Sequence, residues 1–410
     1  LPHRGLTSMP AQRITAARAA VRILRDEGID LVFGCPGGPL RPLYAAMAEA
    51  GGIAHLPVRH AEAAVHMADG WARTSGRAGV VAVAAGPGAA RLVAGLCAAA
   101  EDAVPLVCLT GRPTAAGPPR RAAHRPPDLV RLAAPVTKRA ERIEDPARIP
   151  GAFREAFRIA REGRPGPVLI DVPADLAVAE IASDAGRATG GGRWSVPPTG
   201  AAAPAGLTAD RGGPADPGTV RGAPPWFLTE LAAVFGTVQD PAATSDTYLV
   251  SGPLAAASAI GPGGPRLRHL YGRSGPPGWE VPAAIGVRKA LDGRGERDAE
   301  VVVVLDGDGF PSLAGELAAA ARFGAPMVLL LHTPDRVGED FADPVKLAEA
   351  YGCAGRDVVD PAELRTAVEW ARKEAVSTRR PVLVDVRTGP PVRLPVGPVV
   401  EPVHEYTHGP

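Results

Sequence analysis

Hydrophobic and polar positions along this chain alternate between two regimes. In residues 14–28, ITAARAAVRILRDEG, apolar side chains recur every three to four positions, which predicts an amphipathic helix. DLVFG (30–34) follows, a short run with no charge after Asp30 that ends at Cys35-Pro36-Gly37-Gly38. The same alternation continues through GVVAVAAG (79–86), VPLVCLTG (104–111) and RPGPVLIDVP (164–173). After a long interruption it resumes with TYLVSG (247–252), EVVVVLDGDG (300–309), PMVLLLH (326–332) and RPVLVDV (380–386). Apolar runs bounded by Gly and Pro and separated by helical stretches predict parallel strands covered on both faces. The expected class is α/β, with two doubly wound parallel-sheet domains joined by a flexible linker.

The interruption sets the domain limits. Residues 184–225 have no hydrophobic period and are dense in Gly, Pro and Ala, so they read as a linker rather than a core. The expected organisation is a first domain at 11–183, this linker at 184–225, a second domain at 226–388 and a Pro-rich tail at 389–410.

Charge then narrows the partners. With 45 basic against 44 acidic residues there is no footprint for nucleic acid or an anionic membrane surface. Cys35, Cys97, Cys108 and Cys353 have no CxxC spacing and lie in or beside apolar runs, so buried free thiols in a reducing compartment are expected. The small-apolar stretch 79–100 is broken by Gly86-Pro87-Gly88 and Arg91, and LPHRGLTSMPAQR at the start lacks an apolar signal region. The expectation is a cytoplasmic protein with no membrane span.

Candidate chemistry gathers at two places. LDGDG (305–309) brings Asp306, Gly307, Asp308 and Gly309 to a strand end, where acidic oxygens suit a hard cation and backbone N–H groups suit a phosphate. An EF-hand is excluded because the fifth position from Asp306 is Phe310 and the twelfth is Leu317; P-loop and GxGxxG patterns are absent too. The other place is PVRHAEAAVHMADG (57–70), a basic pair followed by a small-residue helix whose first-turn acid is Glu62. Adjacent helical residues point about 100° apart, so Glu62 cannot face where Ala61 faces.

The ordered motifs DLVFGCPGGP, RHAEAAVHMADGWAR, AAGPGAARLVAGLC and GRPGPVLIDVPADL resemble the pyrimidine-binding domain of thiamine diphosphate enzymes. SGPPGWEVPAAIGV, LDGDGF, GEL and KLAEAYGC resemble their diphosphate-binding domain. The chain looks most like acetolactate synthase and its relatives, and within them like glyoxylate carboligase. The resemblance implies thiamine diphosphate and Mg²⁺ as cofactors and a small 2-oxo acid as substrate, for decarboxylation, carboligation or both. It implies Pro36, Gly37, Gly86, Pro87, Gly88, Pro277, Gly307 and Gly309 around the cofactor. It also implies a homodimer or homotetramer with sites at subunit interfaces.

Departures from the family pattern qualify that expectation. The family's Arg-His-Glu reads Arg59-His60-Ala61 here, with Glu62 on the following polar position, and an apolar residue at 61 is what glyoxylate carboligase shows. The paired asparagines that complete the Mg²⁺ shell are replaced by His332-Thr333, leaving Asp308 or Asp306 as first ligand and Thr333 as a weak oxygen. Pro277 stands where a large aliphatic residue supports the bent cofactor, and only EDFADPV separates Gly338 from KLAEAYGC, where relatives carry a longer closing segment. The central domain is replaced by the linker, so no FAD is expected. Arg112 takes a position often held by Gln, where it can meet a substrate carboxylate or an exposed acid. Two alternatives stay open: a catalytically degenerate paralogue serving as partner or regulatory subunit, and a compact two-domain decarboxylase resembling those for sulfopyruvate or phosphonopyruvate.

Overall fold

The computed structural model describes residues 13–113, 127–183, 227, 230, 246–252, 267–307, 309–333 and 343–387, with the Asp306 side chain excepted. The expected linker and tail, 184–225 and 389–410, and the EDFA part of the shortened segment lie outside the described residues.

Each half of the chain builds a six-stranded, wholly parallel sheet. After the short β1 (Arg13–Thr15), the first sheet uses β2 (Leu31–Cys35), β3 (Ala54–Pro57), β4 (Gly79–Ala84), β5 (Leu106–Arg112), β6 (Arg139–Arg142) and β7 (Pro167–Pro173). Its spatial order is β3-β2-β4-β5-β7-β6. The second sheet takes β9 (Thr247–Ser251), β10 (Leu267–Tyr271), β11 (Glu300–Asp306), β12 (Met327–Thr333), β13 (Ala354–Val358) and β14 (Pro381–Arg387), ordered β10-β9-β11-β12-β14-β13. The two orders are the same when strands are counted from each sheet's first. Outside the two sheets, β1 pairs antiparallel with β8 (Glu180–Ala182), an unanticipated contact tying the start of the first domain to its end.

Helices cover both faces. In the first domain these are α1 (Ala16–Asp26), α2 (Arg41–Ala50), α3 (Ala61–Ser75), α4 (Leu92–Glu101), α5 (Leu129–Ala133), α6 (Ile149–Arg161) and α7 (Ala174–Val178). In the second they are α8 (Glu280–Gly293), α9 (Phe310–Leu313), α10 (Leu317–Arg322), α11 (Pro344–Ala350) and α12 (Leu364–Thr378). The predicted amphipathic helix at 14–28 is realised as α1, capped by the Thr15 hydroxyl, which accepts from the Arg18 N–H at 3.3 Å. Its Val21, Ile23 and Leu24 are buried while its arginines face out. Cys108 and Cys353 are buried as expected, but Cys35 is only half-buried and Cys97 is exposed. Cys97 is the correction: it falls on the outer face of α4, whose inner face is Leu92, Gly95, Leu96, Ala98 and Ala99. Among the described residues, no helix is long and apolar enough to cross a membrane.

The most extensive helix pairing joins the two halves, α3 against α8. It depends on two glycines: a Cβ on Gly70 would sit 2.0 Å from the Ala283 carbonyl oxygen, and one on Gly286 would sit 1.9 Å from that of Met67. Backbones that approach this closely leave no room for any side chain at either position. Polar contacts fasten the C-terminal part of α3. Arg73, almost fully buried, pairs with Asp69 and with Asp102 at 2.7 Å, donates to the Tyr271 carbonyl at 2.9 Å and lies over the Trp279 ring at 5.4 Å. Asp102 also accepts from the Arg273 N–H at 3.1 Å, and Arg294 donates to the Thr74 carbonyl at 2.9 Å.

Candidate active-site cleft

In a doubly wound sheet, ligands collect at the carboxyl ends of strands where successive crossovers run to opposite sides. In the first sheet that point lies between β2 and β4, and in the second between β9 and β11. The turns named from the sequence fall at these points. Pro36-Gly37 leaves β2, and a Cβ on Gly37 would lie 2.4 Å from the Ala84 side chain at the end of β4. Gly86 leaves β4 with extended backbone and Pro87-Gly88 open a 3-10 turn; Cβ atoms on Gly86 or Gly88 would meet nothing within 4 Å, so this rim opens onto free space.

At the second switch point the Gly307 N–H donates to the His332 carbonyl at 2.9 Å, joining the ends of β11 and β12. Gly309 abuts the Pro277-Gly278 turn: a Cβ on Gly309 would lie 2.9 Å from the Gly278 nitrogen. Gly278 has φ +89, which glycine tolerates and which turns the chain after Pro277 into α8. Thus Pro277, Gly307 and Gly309 converge. Asp308 lies outside the described residues, and of Asp306 only the backbone, at the end of β11, is described.

Thr333 has another partner. Its hydroxyl donates to Asp385 Oδ1 at 2.5 Å, and Arg387 lies 2.9 Å from Oδ2. Burial pushes Asp385 up to about 6, against the pull of the Thr333 hydroxyl and the Arg387 charge. His332 is half-buried, with its ring 5.6 Å from that of buried Phe227. Among the described residues no three His, Cys, Asp or Glu side chains are grouped to hold a metal.

Around α3 the arrangement is specific. Ala61 opens the helix and is buried. Glu62 turns toward His66 one turn on, with Oε1 3.6 Å from Nε2, longer than a hydrogen bond. That imidazole is fully buried and pulls the Glu62 carboxyl below its usual range. His60 precedes the helix, and Arg91 Nη1 donates to its Nδ1 at 3.4 Å. Arg112, half-buried at the end of β5, has a buried Nε with no hydrogen-bond partner, and no ion pair among the described residues.

Glu316 lies in GEL (315–317), a stretch to which the sequence assigns no role. It is fully buried just before α10, yet Oε1 accepts from the backbone N–H groups of Arg59 and His60, both at 3.0 Å. The second domain thus reaches the first turn of α3 in the same chain, although the resemblance implied elements from two subunits. Its only sequence signal was Glu-Leu at the start of a helix, which is indistinguishable from a solvated first-turn acid.

These features describe a class: paired doubly wound domains packed together through α3 and α8. Residues 14–132 match the family described as thiamine pyrophosphate enzyme, N-terminal TPP binding domain. That match lies within the first domain. Glyoxylate carboligase of Escherichia coli O157:H7 is 40% identical over 177 residues, 42% of this chain and 29% of that protein. Acetolactate synthase isozyme 3 large subunit of E. coli K12 is 42% identical over 165 residues, 40% of this chain and 29% of that protein. The chain therefore spans under a third of the length of these relatives. Among solved structures, the Rhodococcus jostii RHA1 thiamine diphosphate-dependent 4-hydroxybenzoylformate decarboxylase superposes with a TM-score of 0.65 at 16% identity, covering 92% of this chain and 99% of that one. A thiamin diphosphate-dependent enzyme from Mycobacterium smegmatis, described as such by inference, gives the same score and identity over 92% and 100%. At that identity the likeness establishes the fold.

Proposed function

We propose that this protein binds thiamine diphosphate between its two domains and uses it on a small 2-oxo acid, with carboligation of the kind named for glyoxylate carboligase as the favoured outcome. The observation that carries this is the docking of the second domain onto the start of α3 through Glu316, which sets the two switch-point crevices against one cleft. When bound, the cofactor supplies an electron sink for cleavage of the bond to the carboxylate. The chain's own residues bind and orient. The turns at Pro36-Gly37 and Gly86-Pro87-Gly88 border the pyrimidine side, where the open space beside Gly86 and Gly88 fits a flat ring. Pro277, Gly307 and Gly309 border the diphosphate side, and Ala61 puts a buried methyl group where the resemblance implies a carboxylate in acetolactate synthases and an apolar residue in glyoxylate carboligase. Mg²⁺ would fall to Asp306 or Asp308, and the described residues do not by themselves compose its shell. Arg112, with no acidic partner among the described residues, suits a substrate carboxylate. The carboxylate of an acceptor is the better match, because pairing the one about to leave as CO₂ would stabilise the ground state more than the transition state.

A second reading is favoured by one observation: the Thr333 hydroxyl is committed to Asp385. On that reading the chain keeps the fold and serves as a partner or regulatory subunit. Titration with thiamine diphosphate, with and without Mg²⁺, followed by CO₂ release from a panel of 2-oxo acids including glyoxylate, separates the two. Saturable binding with turnover supports the enzyme; saturable binding without turnover supports the regulatory subunit.

A further inference from the structure

We propose that Glu316 is the positioning residue through which the second domain fixes the cofactor-facing end of α3, acting as an interdomain cap that works best when its carboxyl group is neutral. The clamp stands on geometry alone; its relation to a cofactor rests on the function proposed above.

Helix α3 lacks a cap of its own. His60 occupies the capping position with an extended backbone (φ −127, ψ 140), and no side chain from the first domain accepts a hydrogen bond there. Unpaired N–H groups at a buried helix start are costly. Glu316 meets them from the other domain, and nothing else among the described residues bonds the N–H groups of Arg59 and His60. The two oxygens are used unequally. Oε1 accepts from both N–H groups at 3.0 Å, and the Arg59 N–H is shared with Oε2 at 3.3 Å.

The surroundings favour the neutral form. Glu316 is wholly buried, and burial pushes its carboxyl up to about 7, with the two N–H groups and the Arg59 charge pulling the other way. From the end of β2 the Cys35 thiol faces it; that thiol is itself pushed up, chiefly by burial and secondarily by Glu316. Among the described residues the exposed Arg59 side chain is the cation acting on it, and no Lys or Arg there forms an ion pair with it. From α11's side the Tyr351 hydroxyl approaches neighbouring Gly315, 3.8 Å from where a Cβ would stand.

The direction of the pH effect follows. Glu316 keeps its proton in the folded protein to about 7, whereas an unperturbed carboxyl releases it near 4.5. Stability contributed by this group is therefore fully present below the ordinary value and is lost as pH rises toward 7.

The test uses the cofactor-free full chain. Glu316→Gln keeps a carbonyl acceptor for both N–H groups and cannot ionise, so the gap in unfolding temperature between variant and wild type is expected to widen by ~2 °C or more between pH 5 and pH 7.5. Glu316→Ala is expected to speed hydrogen exchange at the amides of residues 60–63 by ~10-fold or more. A gap independent of pH, or unchanged exchange in the alanine variant, would overturn the clamp. Should the alanine variant fail to fold, the glutamine comparison decides alone. For the cofactor, thiamine diphosphate is expected to bind Glu316→Ala ~10-fold more weakly than wild type; equal affinity would overturn the positioning role. No binding by the wild type overturns the proposed function, while the clamp is still judged on cofactor-free protein.

Discussion

The two domains thread six parallel strands in one order, yet they treat the same structural device differently. In the first, the last strand in sequence, PVLIDVP, carries Asp171, which accepts from the Thr110 hydroxyl at 2.8 Å and pairs with Arg142 at 3.0 Å. In the second, PVLVDVR carries Asp385, which accepts from the Thr333 hydroxyl and has Arg387 at 2.9 Å. Both aspartates are buried and each has a hydroxyl and a guanidinium. Arg142 donates a hydrogen bond to Asp171 from a neighbouring strand and also holds Asp128. Arg387 sits two residues along the same strand, in ion-pair range of Asp385 Oδ2 but without the alignment of a hydrogen bond, and Asp357 adds an opposing negative charge. A fold can thus repeat a polar lock and tighten one copy while leaving the other poised to hold a proton.

The largest effect is expected where the domains meet. Arg73→Ala removes the shared partner of Asp69 and Asp102 and leaves both carboxylates buried, so a loss of ~3–5 kcal/mol is expected in denaturant unfolding. A loss below ~1 kcal/mol would show that the interface does not depend on this network.

The contrast between the two aspartates gives the next. Asp385 is held at about 6, above its ordinary 3.8, so its contribution is present below the ordinary value and is lost as pH rises from about 4 to about 6. Asp385→Asn is expected to remove a pH-dependent cost of roughly 2–3 kcal/mol, making the variant relatively more stable at pH 7 than at pH 4. If Asp171→Asn gives the same pH profile, the two copies are equivalent and the comparison fails.

A smaller effect is expected at Arg112. Arg112→Gln keeps hydrogen-bonding capacity but removes the charge, and KM for the acceptor 2-oxo acid is expected to rise ~10-fold with kcat and cofactor affinity little changed. An unchanged KM would assign Arg112 to the surface.

Much of the fold was legible from the pattern, and the omissions have one cause. The eight apolar runs quoted from the sequence are the four inner strands of each sheet. The unread strands AHLP, RAER, LRHLY and AGRDV are the four sheet edges. Edge strands are bordered by solvent on one side and carry charge, so no apolar run announces them. The turns that line the cleft were readable because Gly and Pro at strand ends have few other uses. Glu316 and Asp385 were not, since nothing local distinguishes a buried acid from a solvated one. The partner of Glu316 lies 256 residues away at His60, and that of Asp385 lies 52 away at Thr333. Cys97 was misjudged for the complementary reason: a helix rich in Ala shows little of which face turns outward.

Calorimetric titration of the full chain with thiamine diphosphate in the presence of Mg²⁺ tests the central claim most directly. The account expects saturable binding of one cofactor per chain. An absence of binding up to millimolar cofactor would contradict it.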